Sequence, residues 1–347
     1  MRFMVIDADL RMISDYKKDK NDVVIFGDTS KFHAGSMENY LNFRNLVDDK
    51  YNILSEIGFD FFFKLRKLQT DYDVFREKLI KSKHWPGIQS CSIIIVHGEG
   101  TTAKFKRSGL PYMYFAKLAK EMGKKCWLTN FSMFEIEGYA DYLPLFDFIA
   151  CRERITYEEV QKYNDNVILS FDCCILRYKQ VAEFNCNPVG VALIRGSNQS
   201  LFEPYITCHE AHFYEFAWRW ELSKKLGSRL FKQLLRKIGL DIRDGIYMRT
   251  FQEYVDSIAK NTYSLTTSYH ANIISFLAGV PFVSLDTMSN SKFTATVNDL
   301  LPPKYHDMKP AKMIHAITHD QETRQTVHDH YTEIFDGLLA RAKNNVN

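Results

Sequence analysis

Apolar residues in this chain fall into short continuous runs, and each run is followed by a polar loop with small residues. Val23-Val24-Ile25-Phe26, Ser92-Ile93-Ile94-Ile95-Val96, Lys125-Cys126-Trp127-Leu128-Thr129 and Asp147-Phe148-Ile149-Ala150-Cys151-Arg152 read as buried strands. Helical segments are predicted between them, at 37–48, 71–83 and 111–122, and again from Tyr157, with Thr156 as N-cap. Such strands alternating with helices predict a parallel sheet covered on both faces. Met1 to Asp7 reads as a further strand, with no separate apolar region of a secretory signal. Residues 181–188 lack periodicity and read as a linker, after which Val189 to Arg195 opens a second sheet. Residues 209–238 read as a long helical region, 245–249 as a strand, 250–259 as a helix and 320–343 as a closing helix. The expected fold class is α/β: a domain over residues 1–182, a second over 187–320, and a closing helix in 321–347.

The stretch from Thr266 to Asp286 organises the second half. It predicts a polar loop, a short apolar helix, a Gly279-Val280-Pro281 turn and a buried strand. His270 stands where the loop becomes helix, where backbone N–H groups lack intrahelical partners and the dipole favours an anion. Such a histidine either meets a phosphate or carboxylate, or simply caps the helix. In the first half, His97-Gly98-Glu99-Gly100 follows a strand, and ligands in open α/β sheets gather at carboxyl strand ends. Arg152 ends another strand, and its planar charged fork suits an oxyanion, or else a neighbouring carboxylate such as Glu153 or Asp147. Gly35-Ser36 precedes a helix in the same strand–loop–helix arrangement, with Ser36 able to serve as a plain cap.

Composition narrows the class. Of 347 residues, 46% are hydrophobic and 25% charged, with a net charge of +3, so charge alone does not imply nucleic-acid binding. No apolar run approaches the ~18 residues of a membrane span. Seven cysteines without a CxxC pair suggest reduced thiols and a cytoplasmic protein. Cys208, His209 and His212 lack the second ligand pair of a structural zinc site, and no Asp-x-Asp appears, so no metal is expected. The 209–238 region mixes aromatics with Arg219, Lys224, Lys225 and Arg229. That pattern either contacts a polyanion or forms a solvated helix face.

Together these segments resemble the polysaccharide pyruvyltransferase family. His97-Gly98-Glu99-Gly100-Thr101 resembles its glycine-rich loop. Residues 147–156 look like its strand followed by an Arg-acid-x-x-Ser/Thr segment. Ser268-Tyr269-His270-Ala271, with Ala278-Gly279-Val280-Pro281, is similar to its Arg-x-His-Ala and Gly-x-Pro elements, with Ser268 replacing the arginine. Lys292 matches a lysine near the donor, and Gly35-Ser36 with Asn39 resembles the N-terminal loop.

The resemblance implies a GT-B-like architecture, two Rossmann-like domains facing an interdomain cleft, with the acceptor on the N-terminal side and the donor on the C-terminal side. It implies transfer of a pyruvyl group from phosphoenolpyruvate to a sugar hydroxyl. His270, Glu99 and His97 are then the catalytic candidates, and Arg152, Lys292, Ser268, Gly98 and Gly100 the donor-binding ones. Ser36, Asn39, Arg219, Lys224, Lys225 and Arg229 are the acceptor-side candidates. No cofactor is expected beyond the donor. The same fold carries glycosyltransferases that use a nucleotide sugar on a glycan or a modified nucleic acid, and fold does not fix function. A non-catalytic carbohydrate- or nucleotide-binding protein is the third reading.

Overall fold

All strand pairs recorded in the computed structural model are parallel, and they make two sheets. The structure describes residues 21–27, 34–58, 61, 71–98, 102, 109–176, 178–188, 190–194, 211–215, 246–247, 250–285 and 291–344. The chain divides into two compact units. Unit 1 is Met1–Ser30, Asn39–Leu176 and Ala340–Asn347; unit 2 is Lys31–Glu38 and Arg177–Leu339.

The first sheet has the order β2-β1-β3-β4-β5-β6. Its strands are β1 (Asp22–Gly27), β2 (Asn52–Ile57), β3 (Ile93–His97), β4 (Lys125–Phe131), β5 (Phe148–Cys151) and β6 (Val167–Leu169). Alternate residues of these apolar runs feed two cores. Val24, Phe26, Ile94, Val96, Leu128 and Ile149 join Tyr112, Phe115 and Leu118 of α4 (Leu110–Glu121). Val23, Ile25, Ile93, Ile95, Trp127 and Phe148 join Phe43 and Val47 of α1 (Ala34–Lys50). Burial of both faces is why these strands read as unbroken apolar runs rather than alternating ones. The other helices of this half are α2 (Tyr72–Ile80), α3 (Trp85–Ser90) and α5 (Arg154–Val160).

The second sheet has the order β11-β10-β7-β8-β9. It comprises β7 (Val191–Ile194), β8 (Ala211–Glu215), β9 (Ile246–Tyr247), β10 (Tyr263–Thr266) and β11 (Phe282–Ser284). Helix α6 (Phe251–Ile258) is capped by the Thr250 side chain, which accepts from Glu253 N at 3.0 Å. Helix α7 (Tyr269–Leu277) is buried along its whole length. Gly279 then turns the chain at φ +67°, where a β-carbon would meet Ala182 O at 2.8 Å. Helices α8 (Ser291–Leu300), α9 (Pro310–His319) and α10 (Gln321–Asn344) complete the chain. Tyr331 and Phe335 of α10 lie against Phe276, and Tyr331 also stacks on Phe282.

Several expectations are corrected. Ala211–Glu215 is a strand inside the region read as helix, because Ala-His-Phe-Tyr-Glu carries aromatic side chains that suit a pleated surface. The rest of residues 209–238, with Arg219, Lys224, Lys225 and Arg229, lies outside the described residues, as does the strand expected at Met1 to Asp7. Helix α1 starts at Ala34, so Gly35 and Ser36 are in its first turn rather than in a loop before it. Helix α5 starts at Arg154 with Glu153 at the N-cap, which places Thr156 inside the helix. Lys292 belongs to α8 and not to a loop.

Candidate functional site

The carboxyl edge of the first sheet holds a buried polar network. Thr129 and His97 are register partners on adjacent strands, and both face α1. His97 Nδ1 lies 3.2 Å from Thr129 Oγ1, and His97 Nε2 lies 2.6 Å from Asn39 Oδ1. Asn39 Nδ2 donates to Asp172 Oδ1 at 2.8 Å, and Arg152 Nη1 donates to Asp172 Oδ2 at 3.2 Å. Directions follow from the end of this chain. The carboxylate of Asp172 can only accept, so the Asn39 amide must turn its nitrogen to Asp172 and its oxygen to His97. The Nε2 of His97 therefore carries the proton, and Nδ1 accepts from the Thr129 hydroxyl. The Phe43 ring stacks on the imidazole at 4.2 Å between centroids. Burial first, and the Arg152 charge second, push the His97 imidazolium down to about 3, so the ring is neutral at pH 7.

Arg152 is enclosed in the same network. Its Nε donates to Ser132 Oγ at 2.8 Å and stands 3.8 Å from Glu153 Oε2. Ser132 Oγ donates to Glu153 Oε2 at 3.2 Å, and Thr156 Oγ1 bonds Glu153 Oε1. A buried guanidinium between two carboxylates is stable only with such compensation. Nearby, β4 bulges at Asn130, which takes a left-handed φ of 54°. The Asn130 side chain spans from Gly98 O to Cys173 N, at 3.4 and 3.0 Å. Gly98 N donates to Thr129 O at 2.7 Å, and a β-carbon on Gly98 would lie 2.6 Å from Phe131 Cβ. A glycine is needed there for the close approach of the loop to β4.

In unit 2, the carboxyl edge of the second sheet holds His270. Strand β10 ends at Thr266, Ser268 occupies the N-cap of α7 without a side-chain cap bond, and His270 lies in the first turn, 5% exposed. Gly35 sits directly on its ring: a β-carbon there would come within 2.5 Å of His270 Cγ. Thr266, Thr267, Asn272 and Ser284 are buried polar residues at this end of β10, α7 and β11. The helix dipole, the absence of a cap bond from Ser268, and these polar residues make the turn suited to an anion.

The structure thus brings Asn39, His97, Gly98 and Arg152 together in unit 1, and Gly35, Ser268 and His270 together in unit 2. Both ends of the Asn39 amide and both ring nitrogens of His97 are engaged within this network. Glu99, Gly100 and the four basic residues from Arg219 to Arg229 lie outside the described residues, as does the Lys292 side chain. Ser36 is in the first turn of α1, half-buried. Sequence reasoning missed Asp172, although a lone carboxylate between Phe171 and Cys173 in an apolar run signals a paired charge. It also missed Thr266, Asn272 and Ser284, whose polarity interrupts otherwise apolar elements.

Residues 32–290 match the polysaccharide pyruvyl transferase family. The chain belongs to that family. As a member it is a transferase, and its α/β, GT-B-like fold is the one expected from the sequence. No curated protein matches the chain by sequence. Among solved structures it is similar to HepE of Anabaena, determined with UDP and glucose, at 10% identity and a TM-score of 0.52. That match covers 93% of this chain and 98% of the other. It is also similar to MnaA of S. aureus, determined with UDP, at 10% identity and a TM-score of 0.49, covering 94% of each chain. Among the described residues no helix is long and apolar enough to cross a membrane.

Proposed function

We propose that this transferase moves the pyruvyl group of phosphoenolpyruvate onto two hydroxyls of a sugar, forming a cyclic ketal. The observation that carries the reading is His270 in the uncapped first turn of α7, at the carboxyl edge of a parallel sheet, in a chain of this family. The donor's phosphate or carboxylate meets the positive end of α7 there. One sugar hydroxyl adds to the enol carbon while the methylene carbon takes up a proton. A second hydroxyl then displaces phosphate at the same carbon. The two hydroxyl protons are balanced by one on the new methyl group and one on the released phosphate. His270 serves as general acid toward the reacting donor or as a charge partner for the departing phosphate.

Glu99 is the proposed base toward the acceptor hydroxyl, and Lys292 neutralises donor charge. Arg152, His97 and Asn39 hold the edge of the first sheet in place. The chemistry asks for no metal and no cofactor beyond the donor, and the acceptor is a glycan. The test is incubation of the purified chain with phosphoenolpyruvate and a glycan bearing a free diol. Release of phosphate with a new ketal methyl signal in the NMR spectrum is the expected result. Neither product would reject the reading.

A second reading is glycosyl transfer from a nucleotide sugar, to a glycan or a modified nucleic acid. The fold likeness to the Anabaena protein determined with UDP and glucose favours it. Consumption of a UDP-sugar, with no use of phosphoenolpyruvate, would select it.

A further inference from the structure

The β10–α7–β11 segment keeps two side-chain polar groups inside unit 2 with no hydrogen-bond partner among the described residues: Asn272 Nδ2 and Ser284 Oγ. Asn272 is fully buried and Ser284 is 5% exposed. Such groups are rare in folded chains, and each asks for an explanation.

Their placement follows from register. Thr266 and Ser284 are paired across parallel strands, so their side chains share one face of the sheet. Ser264, two residues before Thr266 and on that same face, meets Ser275 of α7 at 2.7 Å. The shared face is therefore the one that α7 covers. Asn272 stands one turn into α7, and its Cα–Cβ bond tilts toward the helix N-terminus. Its Oδ1 accepts from Thr266 Oγ1 at 2.5 Å, which fixes the amide at the end of β10, beside the turn that carries His270. The nitrogen of that amide can only donate, and the Ser284 hydroxyl can donate too. Both groups share this end of the sheet with the positive end of the α7 dipole and a Ser268 that makes no side-chain cap bond.

We propose that Asn272 Nδ2 and Ser284 Oγ complete an oxyanion seat at the first turn of α7, donating to a carboxylate or phosphate oxygen of the donor. This rests on the reading of His270 as a donor-side group. It adds two residues that select for negative oxygen over a neutral sugar hydroxyl. In a site shut away from water, charge-assisted bonds of this kind discriminate strongly.

The experiment is calorimetric titration of the full chain with phosphoenolpyruvate, UDP, inorganic phosphate and pyruvate. The last two separate a phosphate seat from a carboxylate seat. Asn272→Asp is the informative variant: it keeps the oxygen that accepts from Thr266 and replaces the free N–H donor with a negative oxygen. The expected result is binding by the wild-type chain, weakened about ten- to a hundredfold by Asn272→Asp. Ser284→Ala, which leaves the Thr266–Asn272 bond intact, is expected to weaken it by about tenfold. If the Asp variant fails to fold, judged by its melting curve, Ser284→Ala decides alone. Wild-type affinity in the folded variants overturns the seat and leaves the donor reading of His270 standing. No binding of any probe by the wild-type chain overturns both.

Discussion

Gly35 and His270 leave no room between them: a β-carbon built on Gly35 lies 2.5 Å from Cγ of the imidazole and 2.8 Å from its Cβ. Those two atoms are the root of the side chain, so the ring cannot swing clear by changing its outer torsions. Gly35→Ala must therefore displace the α7 turn or the start of α1. The cost expected is about 1–3 kcal/mol of stability, as for other overpacked sites. Turnover should fall by more than that loss explains. Denaturant unfolding and steady-state kinetics on the same preparation check both; unchanged turnover would separate Gly35 from the site.

His97 makes stability depend on pH with a definite sign. Its folded value is depressed to about 3, well under the ordinary ~6.5 of the unfolded chain. Between those values the unfolded state binds the extra proton, so stability is full above about 6.5 and declines as pH falls toward 3. His97→Gln should flatten that part of the profile. Melting temperature followed from pH 7.5 to 4.5, wild type against variant, is the measurement. Parallel curves would show that other groups carry the slope.

Asp172 is the charge on which the Arg152 network closes. Asp172→Asn leaves the buried guanidinium facing a neutral amide and should cost about 3–5 kcal/mol, the usual penalty for breaking a buried pair from one side. A urea titration with an unchanged m-value and a lower midpoint is the expected record. A loss below about 1 kcal/mol would mean that Glu153 alone compensates Arg152.

Gly279 turns the chain from α7 into β11 at φ +67°, a conformation that side chains rarely adopt, and its α-carbon faces Ala182 O and His328. Gly279→Ala is expected to lower stability by more than about 1 kcal/mol through strain and contact together. Thermal melting reads it directly. An equal or higher melting temperature would show that this turn relaxes freely.

Much of the architecture was legible because burial on both faces leaves a mark in sequence. Ile93-Ile94-Ile95-Val96 could hardly be anything but a central strand, and the Thr266–Asp286 pattern gave α7, the Gly279 turn and β11 in order, whereas β10 before it, Tyr263–Thr266, carried no strand expectation. Strand β2 was not legible: Asn-Ile-Leu-Ser-Glu-Ile sits at a sheet edge, where half-exposed polar positions dilute the apolar signal. Strand β8 was mistaken for helix because the aromatic residues that favour a strand also fit a helical stripe. At the site, residue types named the right neighbourhood but not the partners. Arg152 reads as meeting either an oxyanion or a neighbouring carboxylate, Glu153 or Asp147; Glu153 is beside it, but Asp172 lies twenty residues on and meets it only through the fold. The polarity of Asn272 stands out in an apolar helix, but a single amide looks the same in sequence whether its nitrogen is satisfied or not.

The strand order of the second sheet governs how that half is born. Strand β7 is central, yet one of its neighbours, β10, and the strand beyond it, β11, are made last among the strands. Tyr331 of the closing helix α10 lies against Phe276 and Phe282, and its Phe335 lies beside Phe276. As the chain leaves the ribosome, sheet one has all its strands well before this helix exists. Until β10 is made β7 keeps an open edge, and until α10 is made Phe276 and Phe282 lack their Tyr331 contact. The second half therefore completes its packing last, long after the described strands of the first sheet have been made.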